Sequence, residues 1–446
     1  MLSEKWSWVE TDSEVFSEAL EAILCSEENL FILGMGGTGK SILLRIAYDH
    51  FPNALVLGST GISSANLVAE GVPATTIHSA LKIPPVSVLD HNHVSFSSDA
   101  MELLERTSLI LIDEVSMVNA SLMDFLLKMF LSSGKEKPRV ILFGDLFQLP
   151  PVINNKDKDI VRYFQDKYDD GRFFFHAKLY RAFRFRTIHL DEVYRQKDPV
   201  FKEALNRIRI GMPTDADLAL INTRVVKDRE NFIQSNPYML YLASTNKVVD
   251  SLNDTYTKSD TFNKRMVYHA EISGDYDLRK NPIVKERVEI AVGQQVMCLF
   301  NNYIEGYQNG TLGRVQYVLP EKVGIITSDG ERKEVKMDTW NNYEFVFDEK
   351  SGRITHKAVG SCKQIGCKPA FAVTFHKSQG LSLDSVFIDL DSYFIPESGV
   401  YLALSRCRTL EGIGLSRPLR EKDISVNPEA LEFLGNYLQE QEIVYG

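Results

Sequence analysis

The run from Leu30 to Ser41, LFILGMGGTGKS, restricts the fold of this chain more than any other stretch. Four apolar residues precede a glycine loop, and Ile42, Leu43, Leu44, Ile46 and Ala47 then mark a helix, so the order predicted is strand, loop, helix. Gly34 is separated by four positions from Gly39, Lys40 and Ser41, which is the spacing of a phosphate loop. Glycines let backbone N–H groups close around phosphate oxygens, and the following helix turns its positive end to the same anion. On this reading Gly34, Gly36, Gly37, Thr38 and Gly39 form the cradle for ATP. Lys40 reaches the β and γ phosphates, and the Ser41 hydroxyl ligates Mg²⁺.

Further apolar runs, ALVLG, SLILIDE and RVILFGD, alternate with helical patterns, which predicts an α/β fold with parallel sheets. Such sheets bind ligands at the carboxyl ends of their strands. Asp113, Glu114, Asp145 and Gln148 all fall at those ends. Asp113 is placed to hold Mg²⁺, Glu114 to orient or deprotonate the attacking water, and Gln148 to hydrogen-bond the γ-phosphate or that water. Arg195 and Arg406 each end an apolar run in a later α/β region and are candidate arginine fingers for a nucleotide held between two domains.

The N-terminal region predicts a helix over 11–25, with Thr11 and Glu14 spaced as a capping box. From 257 to 365 the pattern changes to short alternating strands with turn signals at Asn309-Gly310, Asp329-Gly330 and Ser351-Gly352, a small antiparallel barrel. The expected division is therefore a first α/β domain over 1–185 with a short insertion near 80–99, and a second over 186–256 and 366–446, interrupted by the barrel. With 446 residues and 44% apolar content, the chain has material for several cores. The longest apolar runs fall short of 18 residues, the first five positions already carry charge, and five cysteines are few, so the sequence reads as cytosolic, with no membrane partner. A net charge of −10 argues against a broadly basic surface, yet a narrow groove can carry its own Lys and Arg residues beside stacking groups.

The combined string of GMGGTGKS, STGISSANL with TIHS, LILIDEVSMV, GDLFQLPPV, LDEVYRQ with a later IRIG, LASTN, VGQQVM with NGTLG, AVTFHKSQGLSLD and YLALSR resembles the Pif-one family of DNA helicases, in branch B of superfamily one. The likeness runs from about Gly34 to Arg408 in the family's order. It implies two RecA-like domains, a wedge insertion in the first and a barrel in the second. The implied activity is an ATP- and Mg²⁺-dependent motor moving 5′ to 3′ on single-stranded DNA. It also implies partners: single-stranded DNA and single-strand/duplex junctions, engaged by a monomer that assembles on DNA in the cytoplasm, at the nucleoid. Carried over by residue, the resemblance agrees with the roles given above to Lys40, Ser41, Asp113, Glu114, Gln148, Arg195 and Arg406. It adds DNA-facing candidates at Thr60, His78, Asn246, His376, Lys377 and Ser378, and a nucleotide contact at Gly380. Hydroxyls, amides and one Lys suit grip on a sugar-phosphate backbone in any sequence, and a histidine ring can stack on a base. The family's usual adenine-reading Gln upstream of the loop has no counterpart, since Gln148 is the first Gln. The long N-terminal extension of larger relatives is also missing, so the expectation is a bare motor core. A rival reading is an ATP-gated single-strand binding module without strand separation.

Overall fold

The computed structural model describes residues 13–84, 88, 96–134, 137–153, 157–194, 196, 198–258, 262–278, 284–302, 304–348, 353–392 and 394–445. Six strands form the first sheet: β1 (Leu30–Gly34), β2 (Ala54–Gly58), β3 (Thr75–Thr76), β4 (Leu109–Asp113), β5 (Arg139–Gly144) and β6 (Arg186–Leu190). They run parallel in the order β3-β2-β4-β5-β1-β6. Side chains alternate across a strand, and here both faces are covered. Leu30, Ile32, Val56, Leu111, Ile141 and Phe143 pack against Phe16, Ala19 and Ile23 of the first helix and Leu43, Leu44 and Ala47 of the helix after the glycine loop. Phe31, Leu33, Leu55, Leu57, Ile110, Ile112 and Leu142 face the opposite layer with Phe125, Met129 and Phe174. Continuous apolar strands are what a sheet buried on both sides requires.

Two expectations at the edges of this domain are corrected. β6 was expected to open the second domain; it pairs with β1 from Leu30↔Arg186 to Gly34↔Leu190, so the first domain extends through residue 190. The cause is burial: Ile188 and Leu190 complete the layer of Leu30 and Ile32. The first helix runs Glu14–Cys25 and is capped by Ser13, whose Oγ accepts from the Phe16 amide; Thr11 lies outside the described residues. Its other end is held by Arg139, whose guanidinium donates to the carbonyls of Ala22 (2.7 Å), Ile23 (2.6 Å) and Glu28 (2.7 Å). Of the 80–99 insertion, only 80–84, 88 and 96–99 are described. Val88 there packs beside Ala120, Phe164 and Tyr168.

The second α/β sheet begins with β7 (Leu240–Ala243), and the antiparallel module follows directly. That module contains β8 (Asn263–His269), β9 (Glu271–Gly274), β10 (Arg287–Val292), β11 (Gln295–Cys298), β12 (Leu312–Leu319), β13 (Lys322–Thr327), β14 (Arg332–Asp348), β15 (Arg353–Ile365) and β16 (Cys367–Pro369). The expected barrel is built as two antiparallel sheets, β10-β8 and β16-β11-β12-β13-β14-β15-β9. They share a core of Tyr268, Val288, Ile290, Val296, Val315, Val323, Ile325 and Val335. β16 carries the module to residue 369, four positions past its expected end, because Val296 to Cys298 still pair with it. The Asp329-Gly330 turn joins β13 to β14, and Asn309-Gly310 sits in the β11–β12 loop. The Ser351-Gly352 signal lies outside the described residues. The chain then returns to the second sheet with β17 (Ala372–Thr374), β18 (Val386–Ile388) and β19 (Ile413–Leu415), all parallel in the order β17-β7-β18-β19.

The last helix, Pro428–Tyr445, was expected to belong to the second domain but reaches the first. Phe433 packs edge-on against Phe31 (5.9 Å between centroids) and against Phe175 (4.6 Å). Glu429 accepts from the Arg172 amide (2.8 Å) and pairs with His176 (2.9 Å). Apolar surface on β1 and its neighbours is thus covered from a part of the chain some 400 residues later in sequence.

Candidate nucleotide and nucleic-acid site

Residues 34–41 leave β1 as a tight loop and enter the helix Lys40–His50. Gly39 holds φ +92°, and a Cβ there would meet the Phe16 ring at 2.6 Å, so this position of the loop admits only glycine. Lys40 Nζ donates to the carbonyls of Gly34 and Met35, both at 2.7 Å, and Thr38 Oγ1 donates to Met35. The Lys40 ammonium is pulled below its usual pKa by desolvation, against the charges of Asp145, Glu114 and Asp113. The sheet thus delivers one cation and three carboxylates to one point.

Asp113 ends β4, and its Oδ2 accepts from the Ser63 hydroxyl at 2.9 Å, which fixes the carboxylate's rotation. Desolvation raises its pKa. Glu114 follows in a left-handed backbone conformation, φ +52°, strained for a residue with a side chain. Desolvation first, then the Asp113 charge, push the Glu114 carboxyl up to about 7, a value suited to a base working near neutrality. Its Oε2 is buried without a hydrogen-bond partner. Ser41 is exposed at the mouth of the loop, so a hydroxyl and an oriented carboxylate are available to a hard cation, a donor set that fits Mg²⁺.

Asp145 and Gln148 lie after β5, both buried. Asp145 Oδ1 pairs with Arg209 (3.1 Å) and accepts from the Phe147 amide; its Oδ2 accepts from Tyr401 Oη and Gln148 Nε2, both at 3.2 Å. Burial pushes this carboxyl up, but Arg209 and Lys40 outweigh it, and it ends below its usual pKa. Arg209 also stacks on Phe147 at 4.5 Å. Arg209 and Tyr401 belong to the second domain and were not singled out from sequence. The signal was available as IRIG, ending an amphipathic helix, and YLALSR, ending a buried one, but nothing local in sequence shows that both close on Asp145.

These groups line a cleft of about 1540 Å³ between the two α/β domains and the antiparallel module. Gly36, Gly37, Gly39, Lys40, Ser41, Asp113, Glu114 and Gln148 enter it from the first domain, and Gly380 and Arg406 from the second. Gly34 and Thr38 shape the loop from behind, both buried. Arg406 is buried, donates to Leu402 O (3.1 Å) and Ser405 Oγ (2.9 Å), and feels the charges of Glu114 and Asp145. Arg195 lies outside the described residues. Gly380, at φ +82°, brings its backbone against Asn66, whose Nδ2 would stand 2.8 Å from a Cβ. Asn66 Oδ1 in turn accepts from Asn309 of the antiparallel module (3.0 Å), so all three units meet here.

The six DNA-facing candidates are dispersed. Thr60 caps the helix Gly61–Ala69 by accepting from the Ser63 amide, and it lines the cleft together with His376. His78 is partly buried in the short helix Ile77–Ala80; Asn246 and Lys377 are exposed on the second domain. Ser378 is corrected: it is fully buried, and its hydroxyl donates to Phe375 O at 2.7 Å. Its role is to fix the turn that presents His376 and Lys377.

Comparison with known proteins agrees with this geometry. The family model described as PIF1-like helicase matches residues 9–218. The ATP-dependent DNA helicase Pif1 of Campylobacter jejuni is 28% identical over 413 residues, covering 87% of this chain and 88% of that protein. The zebrafish (Danio rerio) ATP-dependent DNA helicase PIF1 is 29% identical over 88% of this chain and 59% of its own length. Among solved structures, Bacteroides sp. Pif1 in complex with ADP-AlF4 superposes with a TM-score of 0.85 at 28% identity, over 97% of this chain and 98% of that one. Bacteroides Pif1 bound to ssDNA gives 0.67 at 29% identity and the same coverage. With the phosphate loop, the acid pair and the facing arginine all assembled in two parallel-sheet domains, this chain is similar to the PIF1-like helicases over nearly its whole length, and residues 9–218 match the model of that family.

Proposed function

We propose that the chain is an ATP-dependent DNA helicase that moves 5′ to 3′ along single-stranded DNA. Its substrates are duplexes, extending to folded G-rich structures and DNA–RNA hybrids. The observation that carries this reading is the division of one hydrolytic site across a cleft: Lys40, Asp113, Glu114 and Gln148 on one wall, Arg406 on the other. Neither domain alone holds the complete set, so turnover is tied to domain closure. In the closed state Lys40 and Arg406 stabilise charge on the transferred phosphoryl group, and Glu114 accepts a proton from the attacking water. Ser41 and Asp113 would hold Mg²⁺, which would supply positive charge to the phosphate oxygens. Arg195 joins this proposal as a second finger. Gln148, which reaches both Asp145 and the second domain's Gln379, reports the state of the γ-phosphate.

Single-stranded DNA as the track is supported by the names of the relatives and by a Bacteroides neighbour solved with ssDNA. Thr60 and His78 on the first domain and Asn246, His376 and Lys377 on the second are the proposed grips, which alternate as the domains close and part. Polarity, the preference for single-strand/duplex junctions, a monomer that assembles on DNA and action at the nucleoid rest on the family resemblance. Among the described residues no helix is long and apolar enough to cross a membrane. A binder that never separates strands has no use for Glu114 and Arg406 placed at one cleft, which disfavours that alternative.

The test is unwinding of two duplexes alike except for a 5′ or a 3′ single-stranded tail, with Lys40→Ala as control. Opening of the 5′-tailed duplex alone is expected. Opening only the 3′-tailed one would overturn the direction, and opening neither would overturn the motor.

A further inference from the structure

The turn His376–Ser378 carries two of the proposed DNA grips, His376 and Lys377, and the very next residue is buried against the first domain. Gln379 is buried, and its Nε2 donates to Gln148 Oε1 across the domain boundary at 3.1 Å. Its amide also lies close enough to the Glu114 carboxyl to favour the charged form. From Gln148 the chain of contacts continues through Nε2 to Asp145 Oδ2, where Tyr401 Oη and Arg209 meet it. One buried line therefore crosses the domain boundary at both ends: Gln379 of the second domain, Gln148 and Asp145 of the first, then Tyr401 and Arg209 of the second, with Glu114 beside Gln379.

The turn itself is stiff. The Phe375 amide donates to Ala243 O on β7 (2.9 Å), the Lys377 amide to Thr374 Oγ1 (3.2 Å), and both the Ser378 amide and hydroxyl to Phe375 O. On the far side the left-handed Gly380 fits against Asn66 with no room for a Cβ. A displacement of His376 or Lys377 cannot be absorbed within this segment, so it is passed on to the Gln379 side chain, three residues or fewer away.

We propose that Gln379 is a positioning residue that couples strand binding to hydrolysis: DNA held by the His376–Ser378 turn sets the Gln379 amide, and that amide sets Glu114 and Gln148 for attack on the γ-phosphate. The inference rests on the helicase reading and assigns its DNA-dependent regulation to one side chain. Gln379 does not touch the reacting atoms. Its amide donates to Gln148 Oε1 and lies beside the Glu114 carboxyl, so the phosphate sensor and the surroundings of the base follow the second domain. Around Glu114 the other charged groups are Asp113, Lys40, Asp145 and Arg406; Asp113, Lys40 and Arg406 are anchored within their own domains, and Asp145 is held across the boundary by Arg209 and Tyr401. Gln379 adds an amide dipole to that set, reaching from a segment that also carries the proposed grips His376 and Lys377.

The experiment is steady-state ATP hydrolysis by the full chain, with and without an oligothymidylate, for wild type, Gln379→Met, Gln148→Met and the double variant. Met preserves length and volume and removes the amide. The ratio of DNA-stimulated to DNA-free kcat is expected to fall about tenfold or more in Gln379→Met, the size expected when a buried amide is left without its partner. KM for ATP and the oligonucleotide Kd are expected to stay within about twofold of wild type, because binding contacts are untouched. Gln148→Met breaks the same line from the first domain, and the double variant is expected to be no worse than the more damaged single. Should Gln379→Met fail to fold, Gln148→Met alone still reads the ratio. An unchanged ratio in a folded variant, or independent losses that multiply in the double, overturns the coupling. Absence of any DNA stimulation in wild type would instead overturn the helicase reading on which it rests.

Discussion

Replacing Arg209 by Met tests whether the buried line between the domains also holds them together. Arg209 and Asp145 are 5% and 0% exposed at the side chain and stand 3.1 Å apart. Removing one partner of a buried pair costs about 3–5 kcal/mol, since the other charge remains in a poorly solvating place. Asp145 keeps three donors here, the Phe147 amide, Tyr401 Oη and Gln148 Nε2, which puts the cost at the low end, about 3 kcal/mol. Met retains the packing over Phe147 but gives up the cation–π contact at 4.5 Å. For a cooperative unit of 150–250 residues this corresponds to a fall in Tm of about 6 to 12 °C. The assay is urea and thermal unfolding of wild type, Arg209→Met, Asp145→Asn and the double variant. The double, which leaves no orphan charge, is expected to recover about 2 kcal/mol of the summed single losses. The pH dependence has a fixed sign. Asp145 titrates below its unfolded value, so the pair's contribution is complete above a carboxylate pKa of about 4 and is lost as pH falls through the lower folded value. The stability gap between wild type and Arg209→Met must therefore narrow in acid. A single-variant loss under about 1 kcal/mol, or a double as damaged as the sum, would refute the reasoning.

Three further substitutions probe other levels of the argument. Lys40→Ala removes the cation at the phosphate loop and is expected to abolish ATP turnover while oligonucleotide affinity, followed by fluorescence anisotropy, stays within about threefold. Arg139→Ala strips two carbonyls of the first helix, and that of Glu28 just beyond it, of a charged donor and is expected to cost about 2 kcal/mol in urea unfolding, without change in KM for ATP. Gly380→Ala forces a side chain into a left-handed backbone beside Asn66; about 1–2 kcal/mol of strain against closure is expected to lower kcat about five- to thirtyfold, read in the same hydrolysis assay.

The parts legible in sequence were those whose chemistry is local. Strand, glycine loop and helix are specified within twelve residues, and Asp113 and Glu114 declare themselves as polar residues directly after an apolar strand. The antiparallel module was legible from period-two patterns and turns, with its end misplaced only by the short β16. What stayed hidden depends on pairing between distant segments. Nothing in RTIHL distinguishes an edge strand of one sheet from the opening strand of the next; only its register with β1 decides. Arg209, Tyr401 and Gln379 look like ordinary helix or turn residues until the fold brings them to Asp145 and Gln148. Ser378 misled for the complementary reason, since Lys377 before it is exposed while the turn folds the Ser378 hydroxyl back onto Phe375. The Thr11 cap was displaced by Ser13, an equally good acceptor two positions later.

The helix Pro428–Tyr445 returns the chain to the domain from which it started, clamped there by Phe433 and Glu429. The polypeptide therefore crosses the boundary twice, once after Leu190 and once before Pro428. A body tied to another at two separated points keeps essentially one easy degree of freedom, a swing about the line joining the ties. Unrestrained twisting and sliding are suppressed, and the walls of the cleft remain at high effective concentration for each other through every opening. Energy released at the phosphates is thereby channelled into a single stroke, and cutting the chain between 416 and 427 would let that stroke dissipate into tumbling without altering one residue of the nucleotide cleft.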